Sequence, residues 1–206
     1  MSSASELLPF DALGRRRLKV AFVGTHGVGK TTLCFDLASQ LKRLDLGVEI
    51  VKEVARRCPL PINEDTTLDA QAWILHTQIA EELEASARYE AVICDRSVLD
   101  NYAYLVARVG RRPDLDQLVE SWIRGYTRLF KVPVLEEPSF DGMRAVSRSF
   151  QMEIDAAIDR LLGEFAVEVL PLDPSDRDGW IPLVMDTLGL PKHPPQIDLF
   201  GAAAAG

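Results

Sequence analysis

The sequence predicts an α/β fold in which a parallel sheet carries helices on both faces. Apolar runs of strand length alternate with segments of helical period from residue 18 to residue 190, as in strand–helix–strand units joined by right-handed crossovers. A glycine-rich loop follows the first of these strands. The run Ala91–Asp95 is apolar up to a terminal acid, as expected of a strand buried on both faces.

The individual elements follow from this periodicity and from local start and stop signals. The predicted strands are residues 18–23, 48–51, 91–95, 129–134 and 165–171. The predicted helices are residues 30–44, 68–89, 99–109, 113–125, 151–163 and 176–188. Gly47 ends the first helix, and Thr66 or Thr67 caps the second. We expect one domain over residues 17–190, preceded by a flexible lead-in with little structure at residues 1–16 and followed by an extended tail at residues 191–206.

Charge, cysteine spacing and the length of apolar runs argue against several classes of protein. The 206 residues carry a formal net charge of −8, which argues against a broad nucleic-acid-binding face. The arginine cluster at residues 15–17 is interpreted as a solvated chain end rather than a DNA contact. The chain has three widely spaced cysteines, Cys34, Cys58 and Cys94, and no C-x-x-C motif. We therefore expect a reducing compartment and no zinc site. No apolar run reaches the length of a membrane span. These features predict a cytoplasmic protein that binds neither membrane nor zinc.

The glycine-rich loop has the pattern G-x-x-x-x-G-K-T. Its residues are Gly24, Thr25, His26, Gly27, Val28, Gly29, Lys30, Thr31 and Thr32. Glycines let the backbone N–H groups face a polyphosphate, and the N-terminus of the following helix adds partial positive charge. Lys30 would reach the β- and γ-phosphates, and the Thr31 hydroxyl would hold Mg²⁺. A fortuitous glycine-rich turn is the alternative, but the strand before the loop and the helix after it favour a nucleotide site. We expect the His26 ring to be exposed.

Charged residues at two other strand ends belong to the same site. Ligands of parallel α/β sheets bind at the carboxyl ends of the strands, which places Glu53 and Asp95 beside the loop. Asp95 is predicted to hold Mg²⁺ directly or through water, and Arg96 to point to the phosphates or the acceptor. Glu53 could orient or deprotonate an acceptor hydroxyl. The alternatives are a structural Asp–Arg pair and a surface glutamate.

Two further segments are candidates for the same crevice. Residues 136–148 have the composition of a lid, in which Arg144 and Arg148 could fold over the donor phosphates and exclude water. An ordinary solvated loop is the alternative. Candidate acceptor contacts, which suit a flat ring such as a nucleobase or nicotinamide, are Arg56, Gln71, Trp73 and Gln78. Equally, Trp73 could belong to the core and the amides could be exposed.

The motifs together resemble the P-loop kinase-like ATPases. The resemblance rests on residues 24–32, Glu53-Val54-Ala55-Arg56, Asp95-Arg96-Ser97 with residues 100–104, and Asp141-Gly142-Met143-Arg144. It is nearest to the ATPase domains related to ribosylnicotinamide kinase, with thymidylate kinase and the deoxynucleoside kinases more distant. It implies a P-loop NTPase three-layer fold and a five-stranded parallel sheet of order 2-3-1-4-5. It also implies Mg·ATP as the donor, Glu53 and Asp95 near the acceptor hydroxyl, and Arg96 on the phosphates.

The C-terminal tail carries a separate motif. Residues Gln196, Ile197, Asp198, Leu199 and Phe200 are similar to the pentapeptide by which bacterial replication and repair proteins dock on the sliding clamp. Chance, or a segment that folds back on its own domain, is the alternative. Two functions therefore stay open. One is an ATP-dependent kinase acting on a small nucleoside-like acceptor or a DNA 5′ end. The other is a non-kinase ATPase that works as an accessory factor at the clamp.

Overall fold

Five parallel strands in the order β2-β3-β1-β4-β5 form the centre of the fold. The computed structural model describes residues 4–10, 14–62, 66–135 and 148–193. The strands are β1 (Leu18–Val23), β2 (Val48–Val51), β3 (Ala91–Asp95), β4 (Arg128–Lys131) and β5 (Leu170–Pro171). Phe22 lies opposite both Asp95 and Phe130, so β1, β3 and β4 end at the same edge of the sheet. The predicted fold class and strand order are confirmed.

Helices cover both faces of this sheet. They are α1 (Ala4–Leu7), α2 (Lys30–Arg43), α3 (Leu68–Arg88), α4 (Val98–Val109), α5 (Pro113–Ile123), α6 (Arg148–Glu164) and α7 (Trp180–Thr187). One apolar core joins the sheet to α3, α4, α5 and α6, and the other joins it to α2 and α7. β1 serves both cores, because Ala21 and Val23 face the first while Val20 and Phe22 face the second.

The N-terminal lead-in has more structure than the sequence predicts. Ala4–Leu7 is helical, Leu8 is buried in the core beside α2, and Phe10 bridges Arg16. The Ser5 hydroxyl donates to Glu90, which ends the turn before β3. The prediction of a flexible lead-in with little structure is therefore wrong for the described part of residues 1–16. The buried Leu8 and the long-range hydrogen bond of Ser5 help to hold this short segment in place, and neither has a local sequence signal.

Several boundaries towards the C-terminus also differ from the prediction: β4 ends at Lys131 rather than at residue 134, and α6 begins at Arg148 rather than at residue 151. β5 spans only Leu170–Pro171, which pair with Phe130 and Lys131, the last two residues of β4. Phe165 instead closes α6, and Ala166 reverses the chain with a φ of 50°. α7 begins at Trp180 rather than at residue 176, because the Asp176 side chain accepts from the Gly179 N–H in the preceding turn. Across the part of the chain that the structure describes, no helix combines the length and apolarity needed to cross a bilayer.

Candidate active site

The glycine loop turns tightly where β1 gives way to α2. Gly24, Gly27 and Gly29 have φ values of 150°, 74° and 91°, which favour glycine over residues with a side chain. At Gly24 a Cβ atom would lie 2.8 Å from the Val132 carbonyl oxygen. The Gly24 N–H donates to Asp100 Oδ1 at 2.7 Å, which fixes the start of the loop to α4. Val132 after β4 and Asp100 in α4 therefore fix the conformation of the loop from two sides.

Lys30 lies buried beneath this loop. Its ammonium donates to the Gly24 carbonyl at 2.8 Å and to the Thr25 carbonyl. Burial, and then the positive charge of Arg96, lower the pKa of Lys30 to about 8, against the opposing pull of the nearby carboxylates. A polyphosphate in the loop would supply the negative charge that this buried cation lacks.

Thr31 and Asp95 form a pair of hard oxygen donors beside Lys30. The Thr31 hydroxyl donates to Asp95 Oδ2 at 2.6 Å, and Asp95 is buried at the end of β3. A hydroxyl and a carboxylate at this spacing fit the ligand preference of Mg²⁺. No group of three or more His, Cys, Asp or Glu side chains suited to a metal occurs among the described residues. A magnesium ion here would therefore need phosphate oxygens or water to complete its coordination.

Glu53 and Arg96 form a buried ion pair next to these donors. Arg96 Nε and Nη2 each lie 3.0 Å from Glu53 Oε1, and Arg56 Nε donates to Glu53 Oε2 at 2.8 Å. Burial acts to lower the pKa of Arg96, but Glu53 together with Tyr104, Asp100 and Asp95 outweighs it, and the pKa rises above its usual value. Arg96 has a φ of 99°, and the Gln78 amide donates to its carbonyl at 3.2 Å. This hydrogen bond from α3 helps to hold Arg96 in a backbone conformation that residues with a side chain rarely adopt.

This ion pair stands between two cavities. One is a cleft of about 380 Å³ along the glycine loop, called the phosphate cleft below, which also reaches Phe35 and Lys52. The other is a smaller, partly enclosed pocket of about 40 Å³ that shares this pair; it is called the enclosed pocket below. Glu53 and Arg96 line both cavities. Besides this pair, the enclosed pocket is lined mainly by His26, Gln71, Ile74, Asn101, Tyr104 and Phe150.

Aromatic rings close the enclosed pocket. His26 Nδ1 lies 2.7 Å from the Tyr104 hydroxyl, and the His26 ring stacks on Phe150 with centroids 5.8 Å apart. Gln151 at the start of α6 donates to the His26 carbonyl at 2.8 Å. The prediction that the His26 ring is exposed is wrong, because α4 and α6 cover it. The covering residues lie far away in the sequence, so the loop motif alone gives no sign of this burial.

The other predicted residues fall in different places. Gln71 lines the enclosed pocket and Arg56 lies at the phosphate cleft. Trp73 is partly buried but lines neither cavity, and Gln78 is an interior residue bonded to Glu82 and Arg96. Arg148 is the exposed first residue of α6. Arg144 with the rest of the proposed lid, and Gln196–Phe200 of the tail, lie outside the described residues.

Three residues of the site were not singled out for a role by sequence reasoning. Asn101 and Tyr104 line the enclosed pocket one helical turn apart on α4, a spacing that could have indicated a common face. Arg177 follows β5 and lies beside the glycine loop, where a Cβ on Gly29 would be 3.8 Å from its Nη2. It also stands over the Trp180 ring at 5.6 Å. No local motif marks Arg177, because its position depends on how the segment after β5 returns to the loop.

The fold and the glycine loop define this chain as a P-loop nucleotide-binding protein. A family profile described as "AAA domain" matches residues 19–178, and the chain belongs to that family. A search of curated proteins gave no significant match.

Solved structures of similar fold include three nucleoside- and nucleotide-related proteins. Deoxyadenosine kinase from M. mycoides with bound dATP is 19% identical, with a TM-score of 0.57 over 84% of this chain and 100% of that one. Thymidylate kinase from Ehrlichia chaffeensis is 17% identical, with a TM-score of 0.59 over 84% and 98%. The NadR protein in complex with NR is 20% identical, with a TM-score of 0.64 over 88% of this chain, which spans 54% of the NadR chain. The resemblance to P-loop kinase-like ATPases is thereby confirmed.

Proposed function

We propose that this protein transfers the γ-phosphate of Mg·ATP to a hydroxyl or phosphate of a small nucleoside-like acceptor. One observation carries the proposal: the buried Glu53–Arg96 pair forms a common wall of the phosphate cleft and the enclosed pocket. An acceptor in the pocket would therefore present its reacting group to Glu53 and Arg96, next to the phosphates. A protein that only hydrolyses ATP has no need of a second, enclosed cavity behind its phosphate site.

Each charged residue has a distinct task in this proposal. Lys30 and the loop N–H groups hold the β- and γ-phosphates, and Arg96 stabilises charge on the transferred group. Glu53 accepts a hydrogen bond from the acceptor hydroxyl and orients it. Phosphoryl transfer has a loose transition state, so orientation matters more than basicity, and a carboxylate that also faces two arginines is suited to that task. Bound Mg²⁺, held by Thr31 and Asp95, would neutralise phosphate charge.

The acceptor class follows from the pocket lining. The rings of His26, Tyr104 and Phe150 and the amides of Gln71 and Asn101 suit a flat ring with polar edges, such as a nucleobase or nicotinamide. The pocket must widen from its present volume of about 40 Å³ to admit such a ring. The solved structures of similar fold with dATP and NR support this choice of class. We further propose that Arg144 and Arg148 act from a lid, that Arg177 contacts the donor nucleotide, and that residues 17–190 form the catalytic domain in the cytoplasm.

A substrate panel tests the proposal. The protein is incubated with γ-labelled ATP and Mg²⁺, together with deoxyadenosine, thymidine, thymidine monophosphate, ribosylnicotinamide or a 5′-hydroxyl oligonucleotide. We expect label on at least one acceptor. Lys30→Ala should abolish the transfer, whereas Lys42→Ala, an exposed lysine on the same helix, should not. Slow release of labelled phosphate with no labelled acceptor would overturn the kinase proposal.

A second candidate function rests on the C-terminal pentapeptide. Under this alternative the chain is an accessory ATPase of DNA replication or repair, and Gln196–Phe200 docks it on the bacterial sliding clamp. The Leu199-Phe200 pair after a proline-rich stretch favours this reading. The full chain should bind a purified clamp, and Leu199→Ala with Phe200→Ala should remove that binding without affecting ATP affinity. Equal clamp affinity of the wild type and the double variant would end the idea.

A further inference from the structure

A second large cavity lies at the opposite end of the sheet from the active site. This basal groove has a volume of about 560 Å³ and runs between the segment before β1 and the turn between α5 and β4. The lining residues that matter here are Phe10, Arg17, Lys19, Glu82, Trp122 and Arg124. Its size is within the range of small-molecule sites. None of these residues takes part in the proposed phosphotransfer.

The charge of the groove is opposite to that of the chain. Among the described residues, the groove is lined by four cations, Arg15, Arg17, Lys19 and Arg124, and by a single carboxylate, Glu82, although the whole chain carries a formal charge of −8. Glu82 is fully buried, and its charge is met by four donors, described below. A cationic lining whose one carboxylate is already paired is suited to an anion.

The groove also offers apolar surface. Phe10 and Leu83 at its rim are 64% and 57% exposed, so they offer apolar surface to a ligand. Gly125 lies close to Lys19, since a Cβ there would be 3.5 Å from Lys19 Nζ. Lys19 is itself held between the rings of Trp122 and Tyr126, at 4.7 and 4.5 Å from their centroids. Apolar surface and cations therefore lie side by side.

We propose that the basal groove binds a small molecule that combines a phosphate or carboxylate group with a flat apolar ring. The anionic group pairs with Arg17 and Arg124, and the ring packs against Phe10 and Trp122. Arg124 is available for this because its present partner, Glu120, is an exposed residue at 2.9 Å, and such surface pairs are weak.

Hydrogen bonds connect Glu82, at the floor of the basal groove, to the active site. Glu82 accepts from Lys19 at 3.2 Å, Trp122 at 2.8 Å, Tyr126 at 2.5 Å and Gln78 at 2.9 Å. The same Gln78 amide donates to the Arg96 carbonyl, and the Tyr126 hydroxyl accepts from the Val98 N–H at 3.2 Å. A ligand that contacts Lys19 or Trp122 therefore touches the network that holds the Arg96–Val98 turn.

The binding test uses 1-naphthyl phosphate as the probe. Calorimetry is performed on the full chain with Mg²⁺ and a saturating non-hydrolysable ATP analogue, so that the glycine loop is already occupied. We expect saturable binding that weakens about tenfold in Arg124→Ala and further in Arg17→Ala with Arg124→Ala. Arg43→Ala, an exposed arginine on α2 outside the groove, should bind as the wild type does. Absence of saturable binding, or equal affinity in all variants, would overturn the site.

Amide hydrogen exchange tests the connection without any activity assay. Saturating probe should change exchange at residues 96–98 in the wild type, and Arg17→Ala with Arg124→Ala should show no change at the same probe concentration. Unaltered exchange at residues 96–98 in the saturated wild type would overturn the connection. Neither measurement depends on phosphotransfer, so failure of the kinase proposal and failure of this one are distinguishable.

Discussion

Gly24 shows how closely one residue can be fixed by its surroundings. Its φ of 150° is rare for a residue with a side chain, and a Cβ would meet the Val132 carbonyl oxygen at 2.8 Å. That oxygen belongs to the backbone directly after β4 and cannot rotate away. Gly24 therefore combines two independent requirements for glycine, one in conformation and one in space.

Gly24→Ala should lower the free energy of unfolding by about 2–4 kcal/mol, because both requirements are violated at once. Urea denaturation measures this. Gly163→Ala is the control, since Gly163 is exposed in α6 with nothing within 4 Å of a Cβ. It should raise the free energy of unfolding by about 0.5–1 kcal/mol. Equal effects of the two changes would contradict the argument.

Glu53→Gln tests the role of the carboxylate between the cavities. We expect phosphotransfer to fall about 10²–10³-fold, because the amide cannot orient the acceptor and balance Arg96 as the carboxylate does. The Kd of a Mg·ATP analogue should change by less than about threefold, since Lys30 and the loop keep their contacts. Glu49→Gln in β2 is the matched control and should leave both quantities unchanged. A large rise in the Kd with normal turnover would contradict the assigned role.

At this scale the sequence predicts the positions of residues that are set locally. The loop motif places Lys30 and Thr31 at the start of α2, and the strand ends place Glu53, Asp95 and Arg96 at the rim of the sheet, because a polar residue after an apolar run lies there. His26 and Gln78 are different. Their burial depends on α6 and on Arg96, which reach them across 125 and 18 residues of sequence. Pattern and spacing contain no information on such contacts.

At the scale of elements, the start of α4 ties the sheet to the glycine loop. Ser97 caps the helix by accepting from the N–H groups of Leu99 and Asp100, while Asp100 Oδ2 accepts from Ser97 N and Oγ at 2.7 Å each. The other Asp100 oxygen accepts from Gly24. One carboxylate therefore closes a capping box and anchors the loop.

Asp100→Asn should lower the free energy of unfolding by about 1–3 kcal/mol, because the amide can accept on only one side and leaves a buried donor without a partner. It should also weaken binding of a Mg·ATP analogue, since Gly24 loses its anchor. Asp114→Asn, an exposed first-turn residue of α5, should cost no more than about 0.5 kcal/mol. Identical denaturation curves for the two variants would refute the anchoring role.

Glu90 joins the lead-in to the sheet. It accepts from Ser5 Oγ and from the Gly47 N–H, and these bonds lower its pKa from an ordinary value of 4.5. A lowered folded-state pKa contributes stability that is complete above pH 4.5 and is lost as the pH falls through the folded-state value. Glu90→Gln should therefore cost up to about 1 kcal/mol at pH 7 and nearly nothing in more acidic solution. A cost that stays constant with pH, as measured by urea denaturation, would contradict this linkage.

The bounds of β1, β2 and β3 are predicted correctly, while those of β4 and β5 are not. β1 and β3 are largely buried on both faces, so their sequences are mostly apolar and their bounds can be predicted directly. β5 pairs through only two residues, Leu170 and Pro171. Phe165, Val167 and Val169 pack on the core without pairing. Hydrophobicity alone cannot distinguish a paired strand from an apolar segment that covers a core.

At the scale of the whole molecule, Glu82 links regions that the sequence keeps apart. It accepts from Lys19 in β1, from Trp122 in α5 and from Tyr126 before β4, and it is fully buried. Through Gln78 the same carboxylate supports the Arg96 backbone at the opposite end of the sheet. The base of the fold and the rim that carries the candidate active site are thus parts of one hydrogen-bonded structure.

Glu82→Gln therefore should affect both stability and phosphotransfer, and the neighbouring Glu81→Gln should affect neither. The amide leaves Lys19 without its carboxylate in a largely buried setting, which should lower the free energy of unfolding by about 3 kcal/mol. Glu81 is only partly buried and pairs with the exposed Arg57, so its replacement should cost about 0.5 kcal/mol or less. In the folded fraction of Glu82→Gln, kcat should fall while the KM for Mg·ATP stays near the wild-type value, because the glycine loop and Lys30 do not contact Glu82.

The Arg96 turn, in contrast, depends on Glu82 through Gln78. A variant that loses stability but keeps its full kcat would show that Glu82 holds the base of the fold without positioning Arg96.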